Sequence, residues 1–139
     1  MSYRAIVADT SAIYALIDPS DAWHEKAVAY WKSLPKTTAV LLTETTLMET
    51  LTLVQARLGG DLARRADKMI RESNRYRVVP LTDEDRHELQ RIFHQFADKE
   101  WSLFDCATLA LAKRRGVTEA FAFDLHFDQM AAAGLIRVP

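Results

Sequence analysis

The chain has 139 residues, 49% hydrophobic and 27% charged, which is the size and composition of one globular domain and excludes a disordered tail, a collagen-like repeat or a coiled-coil rod. Its 18 basic and 19 acidic residues leave a formal net charge of -1, so no global field draws in a polyanion or a membrane, and such a partner must be held locally. One cysteine, Cys106, rules out a disulfide framework and a cysteine zinc cage and fits a reducing compartment.

Residues 4–8 (RAIVA) read as a short buried strand, and Asp9, Thr10 and Ser11 form a polar corner before the helical AIYALI. The apolar run meets Asp9 too soon for an export signal, and nothing approaches 18 uninterrupted apolar residues. A cytoplasmic protein without a membrane segment is expected. Residues 22–34 form a second helix that Pro35 ends, residues 39–42 a second strand, and Thr43 caps a long helix that stops at Gly59-Gly60. A helix over 62–73 and a strand over 76–79 follow. Thr82 and its acidic neighbours then start a helix that runs to about Ala97. Ser102 opens another helix, closed by Gly116. Residues 119–123 read as a strand, 127–133 as a short helix ending at Gly134, and 135–138 as a last strand. This alternation predicts an α/β fold: a mostly parallel central sheet of about five strands with helices on both faces, in a single domain spanning 1–139.

In open parallel sheets the ligand site lies outside the carboxyl ends of the strands. Asp9 and Asp124 follow strands, Asp105 opens a helix, and Glu49 sits mid-helix among Met48, Leu51, Leu53 and Ala56. Each of three has a structural explanation. Asp9 can cap the first helix, Asp124 can make a turn, and Asp105 completes an S-x-x-D capping box with Ser102. Glu44 beside Thr43 reads as a first-turn acid on the helix dipole. Glu49 has no cap to make, and a carboxylate in apolar surroundings needs a partner or a metal. The topology can bring Asp9, Glu49, Asp105 and Asp124 to one sheet edge, where two carboxylates about 4 Å apart repel by roughly 4 kcal/mol at an effective dielectric of about 20. A cation would relieve this, and all-oxygen ligation suits Mg²⁺ or Mn²⁺.

The segments IVADTSAIYALID, LLTETTLMETLTLV, WSLFDCATLALAKRRGV and FAFDLHFDQMAAAGLIRVP, in this order and spacing, resemble the PIN-domain nucleases, in particular the VapC-like toxins of toxin-antitoxin pairs. The resemblance implies a PIN-like three-layer α/β/α fold with Asp9, Glu49, Asp105 and Asp124 as the acidic metal site. It makes Ser11 and Ser102 supporting polar groups and Asp128 an outer carboxylate. It also implies a homodimer, and a small antitoxin whose tail covers the acidic site. The family often has a hydroxyl residue two positions before the fourth acid, where this chain has Ala122, which removes a supporting contact and no ligand.

The chemistry expected is endonucleolytic hydrolysis of RNA. Asp9, Asp105 and Asp124 hold one Mg²⁺ or Mn²⁺, while Glu49 completes the site through water or orients and deprotonates the attacking water. Competing chemistries find little support. His24-Glu25 lacks the second histidine of H-E-x-x-H, and there is no P-loop, G-x-S-x-G or D-x-D phosphatase motif. His87 and His94 fit an exposed polar stripe; His126, two residues after Asp124, either borders the site or has a surface role, and the surface role is favoured. Cys106, Met48, Met69, Met130, Trp23 and Trp31 read as packing residues. Trp101, just before the Ser102 corner, is a candidate base-stacking platform. Between Arg57 and Arg77 seven basic residues face three acidic ones, a local balance of +4, with Arg64, Arg65 and Lys68 as a candidate RNA footprint. Two other readings stay open: a housekeeping PIN-type RNA-processing nuclease, and a catalytically silent RNA- or protein-binding module on the same fold.

Overall fold

The structure, a computed structural model, describes residues 4–139. Met1 to Tyr3, on which the absence of an export signal partly rests, lie outside the described residues. Five strands, β1 (Ala5–Ala8), β2 (Ala39–Thr43), β3 (Tyr76–Val79), β4 (Glu119–Phe121) and β5 (Ile136–Val138), form one sheet in the order β3-β2-β1-β4-β5. Every pairing is parallel, so the expectation of a parallel sheet is met in full. The expected fourth strand over 119–123 is two residues too long: the ladder ends at Phe121, and Ala122 and Phe123 lead into the site loop.

Alternation along the strands sorts the core. Ile6 and Ala8 of β1, with Val40 and Leu42 of β2, face helices α1 (Thr10–Ile17), α2 (His24–Ser33), α3 (Glu44–Leu58) and α4 (Gly60–Glu72) through Ala12, Ala27, Leu47 and Ile70. Val7 and Leu41 face the other way, onto α5 (Asp83–Gln95), α6 (Leu103–Arg115) and α7 (His126–Gln129) through Ile92, Leu109 and Phe127. Helix α6 has no apolar stripe because Asp105 to Ala112 are all buried, as expected for a helix enclosed on every side. Cys106 is fully buried there, and burial pushes its thiol up to about 11, which fits a packing role.

Thr82 and Asp85 form a reciprocal capping box at the start of α5. Asp85, nearly fully buried, also takes two bonds from Arg114 of α6, Nε to Oδ1 at 2.7 Å and Nη2 to Oδ2 at 2.9 Å. This bidentate pair locks α5 to α6 and fixes the rear of the helix whose front carries Asp105.

Strand β1 is central, with β2 on one side and β4 on the other, and the connections leave it in opposite directions. The crevice beyond the carboxyl ends of β1 and β4 is the topological switch point, where α/β sheets bind ligands.

Candidate metal centre

Asp9 leaves β1 at this crevice. Its N–H donates to the Phe121 carbonyl at 3.0 Å, tying it to β4, and its side chain caps α1. Asp9 Oδ2 accepts from the Ser11 N–H at 3.1 Å and from Ser11 Oγ at 2.7 Å. The same Ser11 oxygen accepts from the N–H groups of Phe123 at 3.0 Å and Asp124 at 3.2 Å. One hydroxyl therefore joins the loop after β1 to the loop after β4, and sets Asp9 against Asp124. Ala122, where the family pattern often has a hydroxyl, is fully buried and pairs its N–H with the Val138 carbonyl.

Glu49 projects from the second turn of α3. It accepts a hydrogen bond from Thr10 Oγ1, which in turn accepts from Thr50 Oγ1 at 3.1 Å, while Thr50 is also bonded to the Thr46 carbonyl at 2.8 Å. Sequence reasoning missed this buried threonine relay. Its only signal was the run of threonines at 43, 45, 46 and 50, which reads locally as poor helix formers.

Asp105 does two jobs. The capping box with Ser102 is present, with Ser102 Oγ accepting from the Asp105 N–H at 3.1 Å and Asp105 Oδ2 accepting from the Ser102 N–H at 3.0 Å. The same carboxylate lines the crevice. Asp124 lies in the loop after β4 and accepts from the His126 N–H at 2.9 Å. The capping and turn explanations were thus correct for these acids without excluding the site, since each uses only part of a carboxylate's four lone-pair positions.

The pocket, about 790 Å³, is lined by Asp9, Thr10, Ser11, Glu49, Ser102, Asp105, Asp124 and His126, with an apolar wall of Met48, Leu53, Ala56 and Phe104. Burial pushes the Asp9 carboxyl, 5% exposed, up to about 7; the two Ser11 bonds oppose this, and the charges of Asp105 and Glu49 add to it. Asp105 is raised too, chiefly by burial, with the Ser102 N–H and His126 opposing and Asp124 contributing. Among the described residues no lysine or arginine pairs with Asp9, Glu49, Asp105 or Asp124. Four carboxylates, Asp9 and Asp105 buried and Glu49 and Asp124 half-buried, that no lysine or arginine neutralises among the described residues and that offer oxygen donors to one pocket fit a hard divalent cation.

Four expectations are corrected. Trp101 is 4% exposed, packs at a tilt against Phe96 with ring centroids 4.8 Å apart and donates Nε1–H to Gln129 Oε1 at 2.8 Å, so it is a core residue with no face for a base. Asp128 is absent from the pocket lining and is paired with Arg137 Nε at 2.7 Å, because one helical turn beyond Asp124 carries it towards β5. Met48 and Met69 are 65% and 55% exposed and are not core filler; Met48 lies on the face of α3 that borders the pocket. His126 is a pocket residue: its Nδ1 lies 3.3 Å from Asp105 Oδ2 and 3.6 Å from Asp124 Oδ1. The packing assignments of Met130 and Trp31 stand. Trp23 stacks on Phe123 with ring centroids 5.2 Å apart while keeping half its surface in solvent.

An acidic crevice at the switch point of an all-parallel sheet is a place built for a cation and whatever anion the cation holds. The chain belongs to the PIN domain family, which it matches over residues 6–133, a span that contains the whole pocket. It is 32% identical over 133 residues to the 23S rRNA-specific endonuclease VapC20 of Mycobacterium tuberculosis, covering 96% of this chain and 97% of that protein. The crystal structure of that VapC20, described as a Sarcin-Ricin loop cleaving toxin, superposes with a TM-score of 0.85 at 31% identity, over 96% of this chain and 98% of that one. FitAcB from Neisseria gonorrhoeae shares the fold with a TM-score of 0.70 at 20% identity, over 96% of each chain. VapBC2 from Rickettsia felis, solved bound to a promoter DNA fragment, does so with a TM-score of 0.72 at 12% identity, over 96% of this chain and 97% of the other.

Proposed function

We propose that this chain is a divalent-metal-dependent endoribonuclease that acts in the cytoplasm as the toxin of a toxin-antitoxin pair, and that residues 1–139 form one nuclease domain. The observation that carries this reading is the convergence of four carboxylates, from four separate stretches of sequence, on one pocket with no lysine or arginine partner among the described residues. Asp9, Asp105 and Asp124 would hold Mg²⁺ or Mn²⁺, and Glu49, steadied by Thr10, would complete the site through water or take the proton of the attacking water. When bound, such an ion would supply neutralisation of charge developing on the phosphate and a lowered pKa for the attacking water. Ser11 keeps Asp9 and the loop bearing Asp124 in register, and Ser102 keeps Asp105 at the mouth of α6. The products carry 5′-phosphate and 3′-hydroxyl ends.

The substrate is ribosomal RNA of the large subunit, the class of target named for the 32% identical relative. Arg64, Arg65 and Lys68 are exposed along α4, and Arg64 adjoins Met48 and Thr52 beside the pocket, which supports a backbone footprint there. The apolar wall of Met48, Leu53, Ala56 and Phe104 suits the tail of a small antitoxin, and a homodimer is the assembly proposed for the active toxin from its likeness to the PIN domain family.

Expression of the wild type is expected to arrest growth and to leave ribosomal RNA cut with 5′-phosphate ends. Asp105→Asn is expected to lose both effects. Equal toxicity and cleavage by the variant, or 2′,3′-cyclic phosphate ends, would overturn the proposal.

A further inference from the structure

Among the described residues, the group of metal-type donor atoms found close enough together to share one ion is not a set of acids alone. It is Asp105, Asp124 and His126, whose donor atoms all lie within 4.8 Å of one another. The His126 N–H bonds to Asp124 Oδ1, which folds the loop back, and the imidazole lines the pocket with Nδ1 towards both carboxylates.

We infer that His126 is a nitrogen ligand of the metal centre, which makes the site a mixed carboxylate and imidazole one that favours Mn²⁺ and Co²⁺ over Mg²⁺. The inference rests on the reading of this pocket as a metal centre and assigns it a ligand of a different chemical class.

Distance distinguishes a shared ion from a simple ion pair. A charge-assisted N–H to carboxylate bond closes to about 2.7–2.9 Å. Two donors that each sit about 2.1 Å from one ion stand about 3.0 Å apart at an octahedral angle and about 3.4 Å apart at a tetrahedral one. Nδ1 stands 3.3 Å from one carboxylate and 3.6 Å from the other, close to ligand spacing from both and too far from either for a strong hydrogen bond. Neutral imidazole with its proton on Nε2 presents the Nδ1 lone pair for this role. A hard ion such as Mg²⁺ gains least from nitrogen, whereas imidazole suits the later first-row divalent ions, whose affinities for a nitrogen and oxygen site rise from Mn²⁺ to Co²⁺. Because the ring is about one-third exposed, its removal leaves no buried void, so variants there should fold.

The test is pulsed electron paramagnetic resonance of the Mn²⁺-loaded protein, with calorimetric titration of Mn²⁺ and Mg²⁺ into wild type, His126→Gln and His126→Asp. The wild type is expected to show a ¹⁴N coupling to the ion that His126→Gln lacks, and His126→Gln to bind Mn²⁺ at least about tenfold more weakly. In His126→Asp, which keeps a ligand but an oxygen one, the ratio of Mn²⁺ to Mg²⁺ affinity is expected to fall at least about tenfold. Mn²⁺ bound without ¹⁴N coupling, or with equal affinity in wild type and His126→Gln, would overturn the role of His126 and leave the metal centre standing. Failure of the wild type to bind any divalent ion would overturn the metal centre itself, and this inference with it.

Discussion

Asp9→Asn is expected to stabilise the metal-free protein while destroying its activity. An ordinary aspartate titrates near 3.8, and burial among other carboxylates raises Asp9 to about 7. Each unit of that difference corresponds to about 1.4 kcal/mol, so above pH 7 the ionised side chain costs the fold about 4 kcal/mol. Asparagine removes the charge and retains an oxygen for Ser11, but its buried amide N–H groups lack partners, which costs about 1–2 kcal/mol. The net gain is about 2–3 kcal/mol, or about 6–9 °C in melting temperature at roughly 3 °C per kcal/mol. Between pH 4 and 7 the folded state binds the extra proton, so wild-type stability falls as pH rises through that window and the advantage of the variant grows with it. Urea unfolding in a chelator, at pH 8 and at pH 4, measures both effects. With saturating Mg²⁺ or Mn²⁺ the advantage should shrink or reverse, because only the wild type gains the binding energy of the ion. A variant no more stable than wild type at pH 8, or a gap that ignores pH, would refute the claim that Asp9 is held ionised at a cost.

Ser11→Ala removes one acceptor and one donor that span both site loops, and should lower stability by about 1–3 kcal/mol in the same assay. Because it lets Asp9 and Asp124 drift apart, it should also cut kcat about 100-fold at saturating RNA, followed as cleavage of a labelled oligonucleotide. Arg114→Met strands the buried Asp85 and should cost about 3 kcal/mol at pH 7. Although burial pushes the Asp85 carboxyl up, Arg114 and Thr82 hold it below the usual range, so the contribution of the pair is present above that range and is lost on acidification; the variant and wild-type melting curves should converge at low pH. Replacement of Arg64, Arg65 and Lys68 by glutamate should weaken RNA binding and flatten the slope of log affinity against log salt by about 2, as read by fluorescence anisotropy in a salt series.

The fold was legible because its signals are local. Apolar runs such as AIVA and AVLLT, the Ser102 and Thr82 caps, and Gly59, Gly116 and Gly134 at positive φ each mark an element or its end within a few residues. The site was legible as a set of acids that a parallel topology can gather. What sequence could not supply is direction. Asp128 sits one turn from Asp124 and turns to Arg137, whereas His126 sits two residues away and turns to Asp105. Trp101 is adjacent to the site in sequence, but its ring points into the core because Phe96 and Gln129 receive it there. The Asp85–Arg114 pair, like the link between Thr10 and Glu49, joins residues on different helices that no periodicity associates.

The bridge at Ser11 bears on how such a protein is made. Ser11 and Asp124 lie 113 positions apart, so the first and last acids of the pocket meet only when almost the whole chain has been synthesised and folded. Contacts so distant in sequence carry a large loop-closure cost that only the assembled sheet repays. A chain still emerging from the ribosome has no assembled pocket, and neither does a truncated one or one partly opened for degradation. Whatever chemistry this pocket performs is therefore expected to need the β1–β4 seam closed, and to be lost when that seam opens.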